Sequence, residues 1–464
     1  MKKKNGLSLI VLIITIIVVI VLASVVILTI SKNNPIESAK EARFKDDVRA
    51  FQDELAMYIS SEMVKDYNGI REKIITSNMP STDEMKKYIS SFSKKYEHKL
   101  GIYDDELVYY IADEDENVTN KLTDQEENWL KDLGIKERVI ETSEELFEWG
   151  SNDPNNPAYY TLVKYNGTEE NVTIPQRCKV IGNGAFKNKS TIKSVKIQEG
   201  VTTIGNSAFM NCYQLKKINL PNSITSIGER SFQGCEKIES ITIPEKIRVI
   251  YLSTFFGCKS LKTVNFPDNL FGIHEQAFDN CTNLKNIDLP DSVGYLGKAA
   301  FQGTGLENVY LSKNCISLDD RVFGACQNLK NIFVDAENPS ITSVDGVLYS
   351  KNKKTLIQYP AGKTDGTYTV IDGTEKLAND AFYICKNLNE VILPNSLNEI
   401  GEYCFCMNSS LENIKIPISV VVIKTFALDL RTVNIYCEAE SKPSGWAYDW
   451  HGNGTTNVTW GYKE

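Results

Sequence analysis

Histidine is scarce here: His98, His274 and His451 are the only three in 464 residues. None of them stands in an H-E-x-x-H pair, and neither G-x-S-x-G nor a phosphate-binding glycine loop occurs. Zinc-ligand spacing is missing too, because Cys404 and Cys406 are separated by one residue and have no second pair. Positive charge is not in excess: 51 Lys and Arg meet 60 Asp and Glu, a net charge of −9. A chain with that balance lacks the basic footprint of a nucleic-acid binder. Its carboxylates are scattered, and sequence alone pairs none of them for acid–base work. These absences argue against an enzyme, a metal centre, a cofactor site and a nucleic-acid partner.

Charge is also absent from Leu7 to Ile30. At 1.5 Å per residue that run makes roughly 36 Å of helix, enough to span a bilayer. Lys2, Lys3 and Lys4 precede it and only Lys32 follows closely. The positive-inside rule then puts the N-terminus in the cytoplasm and everything from Ser31 onward outside. A cleaved signal peptide fits less well, since its apolar region is about 7–15 residues. The expectation is a single-pass membrane protein with most of its chain at the cell surface.

Five regions follow. Residues 1–34 hold the leader and membrane helix. Residues 35–68 read as an amphipathic helix: Asn34 can cap it, Pro35 suits its first turn, and Phe44, Val48, Phe51, Leu55 and Tyr58 make one apolar stripe. That stripe serves either a helix packed on its own domain or a stalk or coiled coil. Residues 69–157 form a small α+β region, with a strand over 107–111 and a short helix over 123–133 capped by Thr123. The turn-rich segment 151–157 marks its end.

Residues 158–437 repeat. Phenylalanine recurs every 23 residues at Phe186, Phe209, Phe232, Phe255, Phe278 and Phe301, then at Phe323, Phe382, Phe405 and Phe426. A fixed period in this range predicts a solenoid whose stacked coils share one core. In one coil, Leu215, Ile218 and Leu220 face one side of a strand that Pro221 ends, Ile224 and Ile227 make a second short stretch, and Gly228 turns the chain. Ala208, Phe209 and Cys212 form a helical turn pointing inward. Six cysteines stand three residues after a repeat phenylalanine: Cys212, Cys235, Cys258, Cys281, Cys326 and Cys385. Neighbours fall within disulfide reach but point the same way, so buried thiols are expected.

This pattern, G-x-x-A-F-x-x-C-x-x-L-x-x-I-x-[IL]-P-x-S-[IV]-x-x-I, resembles the BspA-type leucine-rich repeat of bacterial surface proteins. The resemblance covers roughly residues 160 to 437. It implies a solenoid of short parallel strands, and binding to host molecules, neighbouring cells or like proteins without catalysis. The family's repeats also carry the segment at 343–360, a hairpin of 347–349 and 355–359.

Stacked coils align equivalent positions, so the outward residues of the first strand form a column: Asn219, Thr242, Asn265, Asp288, Tyr310, Phe333, Ile392 and Lys415. Tyr310, Phe333 and Ile392 interrupt an otherwise polar row. They are candidates for a patch binding an extracellular protein or glycan, unless the 347–359 hairpin folds over and covers them. Residues 438–464 hold Trp446, Trp450 and Trp460 beside Tyr448 and Tyr462. These aromatics either cap the last coil or stack on sugars.

The opening K-K-K-N-G-L-S-L-I-V resembles a type IV prepilin leader. The resemblance implies cleavage after Gly6, methylation of Leu7 and self-association through the N-terminal helix on a filament. One departure stands out: the family usually has glutamate at the fifth mature position, and this chain has Val11. A plain membrane anchor and a filament subunit therefore both remain open.

Overall fold

The computed structural model describes residues 35–65, 80–97, 99–103, 106–109, 122–137, 142–151, 155–430, 433–452 and 457–463. The expected span from Leu7 to Ile30, with Gly6 and Leu7, lies outside them. Among the described residues no helix is long and apolar enough to cross a membrane. The chain divides into two units, Met1–Ile140 and Glu141–Glu464. The division falls earlier than the turn-rich 151–157.

In the first unit the long helix runs Pro35–Lys65. Its stripe of Phe44, Val48, Phe51 and Leu55 is buried against Phe92, Tyr96 and Trp129. The stripe thus serves the unit's own core, not an intermolecular seam. Strand Leu100–Tyr103 pairs antiparallel with Glu106–Tyr109, which pairs parallel with Lys136–Glu137. The short helix spans Asp124–Asp132, closed by a capping box: Glu126 N–H donates to Thr123 Oγ1 at 3.2 Å, and Thr123 N–H to Glu126 Oε2 at 2.9 Å.

The second unit is a parallel-strand solenoid. Most coils contribute a short strand to a first ladder and another to a second ladder; the coil around Asp288 lacks the first, and the first ladder is broken into short runs. Lys217–Ile218 stacks on Ser194–Lys196, and Ser226–Ile227 on Thr203–Ile204. The proline that ends the first strand also closes the turn between them, because Pro221 C=O accepts from Ile224 N–H at 3.0 Å. Gly228 is needed for close approach of coils, since a Cβ there would lie 2.6 Å from the Asn206 nitrogen.

The expected helical turn around each phenylalanine is not helical. The residues two before and two after it hold positive φ, as in Ser207 (55°) and Asn211 (62°) around Phe209. That alternation turns every second N–H toward the next coil. Ser207, Phe209 and Asn211 N–H donate to the carbonyls of Glu229, Ser231 and Gln233 at 2.7–2.8 Å. The segment is a third hydrogen-bonded ladder, built without strands. Gly and Asn take that backbone most readily and hold several of these positions, such as Gly184, Asn188 and Asn280, but Arg230, Gln276, Ile384 and Tyr403 are held in it as well.

Inside it the rings stack. Centroids from Phe186 to Phe323 are 4.9–5.7 Å apart, with planes within 12° of parallel. Burying each ring contributes about 1.5–3 kcal/mol. Tyr165 extends the stack at one end, and Tyr359 restarts it before Phe382 and Phe405. Phe426 is not part of it. Leu428, 23 residues after Phe405, fills the core place, while Phe426 takes the positive-φ position (51°) and packs on Tyr403.

The cysteines are buried and free. Five of the six ladder thiols point at a phenylalanine carbonyl one coil back, among them Cys212 Sγ to Phe186 at 3.1 Å, Cys235 Sγ to Phe209 at 3.1 Å and Cys258 Sγ to Phe232 at 3.3 Å, whereas Cys385 Sγ lies 3.9 Å from the Tyr383 carbonyl of its own coil. Burial pushes these thiols up, Cys212 to about 12, so each stays a protonated donor. At Asn408, one position where cysteine is replaced, Nδ2 serves the Phe382 carbonyl at 2.9 Å, while Thr304 donates to the Phe301 carbonyl of its own coil at 2.8 Å.

The 59-residue gap in the phenylalanine spacing is a seam. Strand Ile341–Val344 pairs antiparallel with Val347–Ser350, which pairs with Thr355–Gln358, which joins Lys376–Leu377 in parallel. Leu348 enters the core on one side, Val347 and Tyr349 the core on the other. The hairpin is therefore built into the wall and does not fold over the first-strand column. Side chains replace backbone bonds here: Arg321 pairs with Asp380 at 2.6 Å and lies 4.2 Å over the Tyr383 ring.

At the C-terminal end Trp446 and Trp450 are buried, with ring centroids 4.7 Å apart. Trp446 Nε1–H donates to the Val420 carbonyl at 3.1 Å. These two rings close the last coil and offer no face to a sugar.

Cys258→Val should lower the melting temperature more than Cys258→Ser. Valine fills the space but removes one of the two donors to the buried Phe232 carbonyl, which keeps the Cys235 N–H at 3.1 Å, a loss of about 0.5–1.5 kcal/mol, whereas serine keeps a donor. Thermal denaturation of the two variants checks this, and the reverse order would mean that packing alone sets the position.

Candidate functional site

The first ladder offers the exposed column. Its N-terminal part is knitted together by its own polar groups. The Asn219 amide donates to the Ile197 carbonyl at 2.8 Å and accepts from Ile197 N–H at 2.7 Å. Asn265 Nδ2 donates to Thr242 Oγ1 at 3.0 Å. Polar residues used this way bridge coils and leave little for a ligand.

Two coils on, the column turns aromatic. Strands Asn308–Leu311 and Asn331–Val334 pair in parallel register, setting Tyr310 directly beside Phe333. Both are exposed, 52% and 47%, while their neighbours Val309 and Ile332 are buried. The Tyr310 hydroxyl donates to Asp335 Oδ2 at 2.9 Å. That bond and the Glu337 N–H hold the Asp335 carboxyl below the usual range. The pair sits at the end of a run of coils. Ile332 N–H is taken by the Gly346 carbonyl at 2.9 Å, so the hairpin turn closes that edge without shading Phe333.

Ile392 is also 47% exposed but is not part of that patch. Beyond the seam it pairs with Thr369 in a new run of strands. There it lines an open groove of about 710 Å³, together with Lys415, Tyr436, Glu438 and Tyr462. Lys415 and Tyr436 face each other in register, the Tyr436 and Tyr462 ring centroids are 5.0 Å apart, and Lys415 Nζ lies 5.5 Å over Tyr462. The fold thus brings Tyr310 and Phe333 together and sends Ile392 to a second site.

Two partly buried surface features were not placed by the sequence reading, which named Tyr462 only among the C-terminal aromatics. Tyr462 reaches the groove because its N–H bonds the Cys437 carbonyl at 3.0 Å, folding the tail back along strand Asn434–Cys437. On the second ladder, His274 lies edge-on between the Tyr251 and Tyr295 rings at 5.6 and 5.4 Å, beside exposed Phe271. The 23-residue spacing of Tyr251 and His274 was the available signal. Among the described residues no group of His, Cys, Asp and Glu is placed to hold a metal ion.

Comparison with known proteins agrees with this architecture. None of the curated proteins matches the chain significantly. Among solved structures, a leucine-rich cell surface protein from Faecalibacterium prausnitzii is 22% identical, with a TM-score of 0.52 over 71% of this chain and 96% of its own. The pneumococcal vaccine antigen PcpA is 23% identical over 66% of this chain and 81% of its own, TM-score 0.46. A leucine-rich repeat protein from Eubacterium ventriosum is 22% identical over 61% and 67%, TM-score 0.43. At such identity the first of these speaks for the fold alone. The model of the BspA type leucine rich repeat region matches residues 163–271, 249–365 and 366–440. Over half of the sequence carries that repeat, and the chain belongs to the BspA-type leucine-rich repeat family.

Proposed function

We propose that this protein is a membrane-anchored cell-surface protein whose leucine-rich repeat solenoid engages an extracellular protein or glycan, as in adhesion. The observation that carries this reading is the Tyr310–Phe333 pair: two large apolar side chains held exposed, side by side, on a ladder that fixes their spacing. Aromatic anchors in a rigid frame lose little conformational freedom on binding. Support for the anchor is the uncharged run from Leu7 to Ile30 with lysines before it. The reading includes no catalysis, cofactor or nucleic acid.

A filament subunit is the second reading. It is favoured by the long helix Pro35–Lys65, which follows the apolar run and packs in a small unit containing an antiparallel strand pair. It relies on cleavage after Gly6, and Val11 counts against it by removing a charge from the subunit contact. Intact mass of the protein from its native membrane separates the two. A chain beginning at Leu7 and heavier by one methyl group means prepilin processing, and one beginning at Met1 or Lys2 means an anchor.

Replacing Tyr310 and Phe333 together by serine should weaken capture of the partner by about tenfold or more. Circular dichroism and melting temperature should stay near wild type, because both side chains are exposed. Unchanged capture by the folded double variant would remove the patch.

A further inference from the structure

We infer that the groove beyond the seam is a binding site for an extended, neutral oligosaccharide. This rests on the reading of the chain as a surface-displayed binding module, since such a polymer is met outside the cell, and it assigns a ligand class to one site on it. The floor of the groove is a row with one residue per coil: Thr369, Ile392, Lys415 and Tyr436. Parallel coils repeat about every 4.8 Å, close to the advance per ring of an extended β-1,4-linked chain. Successive sugars can therefore meet equivalent positions.

The chemistry of the walls fits the same ligand. Tyr436 and Tyr462 are each half-buried and lie side by side at 5.0 Å, which leaves part of each ring able to cover the apolar face of a sugar. Around them stand short planar acceptors and donors, the Asp372 carboxylate and the Asn395 amide foremost, with Glu390, Glu438 and Asn413. Each of the last three gives one oxygen to a neighbouring coil: Glu390 to the Thr367 hydroxyl at 3.3 Å, Glu438 to Ile418 N–H at 2.9 Å and Asn413 to the Asn434 amide at 3.0 Å. Such groups bind pairs of adjacent hydroxyls. Three carboxylates against the single ammonium of Lys415 make the lining net negative, which disfavours acidic polysaccharides. The volume, about 710 Å³, lies in the usual range of ligand sites. A peptide anchor is less well served: peptide hot spots drop an apolar side chain into a closed well, whereas Ile392 stands up from the floor, half exposed.

The test uses the full-length protein in detergent on immobilised chitohexaose, cellohexaose and mannohexaose, with heparin, oligogalacturonate and a random-peptide library alongside. The expected result is binding to one or more neutral oligosaccharides, weakened at least about tenfold by combined Tyr436→Ala and Tyr462→Ala. Tyr310→Ser with Phe333→Ser should leave that binding intact. If the tyrosine variant fails to fold, Glu390→Ala with Asn395→Ala, both exposed, decides the matter, and sugar binding that survives it overturns the assignment. Binding to peptides alone, equal binding to acidic polysaccharides, or no binding to any sugar overturns it as well. If sugar binding is absent while partner capture through Tyr310 and Phe333 persists, only the groove assignment falls.

Discussion

Everything in the second unit depends on stacking equivalent residues at one coil's separation. A coil of about 23 residues cannot bury its apolar side alone, and the column of phenylalanine rings is where neighbouring coils meet. The rings stack because the backbone on either side of them is pinned. Alternating positive φ aims N–H groups at the next coil, and the cysteine three residues on donates to the phenylalanine carbonyl one coil back, within the core. Remove the left-handed residues and the third ladder cannot form. Remove the thiol donor and a buried carbonyl loses one of its two hydrogen bonds, the other coming from the N–H three residues on in its own turn. The repeated G, A-F and C of the sequence are thus parts of one device.

That device explains why so much of the repeat was legible and why some was not. Period and core phenylalanines are plain in sequence because each coil repeats the same demand. Tyr165, Tyr359 and Leu428 escaped notice because the core place asks for bulk and apolarity, and a tyrosine or leucine meets that demand as well. Phe426 misled for the converse reason: a shortened spacing moved the phenylalanine to the turn position two residues earlier. The turns read as helical since hydrophobic spacing does not report the sign of φ. The outward residues of the column are exposed, but no strand forms at Asp288, and the hairpin's third strand and its place in the wall were needed to see that Phe333 and Ile392 belong to different runs.

The proposed binding role draws on the same geometry. A ladder holds exposed side chains at fixed separations, so a patch such as Tyr310 with Phe333 exists without any loop having to order on binding. The seam gives the solenoid two surfaces of different character: an aromatic pair on one side and a mixed groove on the other. The Arg321–Asp380 pair and the Tyr383 ring beneath it join the flanking coils where the backbone ladder stops. Division of the core at Leu348, with Val347 and Tyr349 facing the other way, lets one hairpin close one array and open the next.

Surface display of residues 141–464, tethered by the apolar run before Pro35, is the central proposal. The most direct measurement is mass spectrometry of peptides released when protease is added to intact cells that express the full chain. Release of peptides from the 155–463 region, with the N-terminal segment retained in the membrane fraction, is the predicted result. Protection of that region until the cells are lysed would contradict surface display and the binding role built on it.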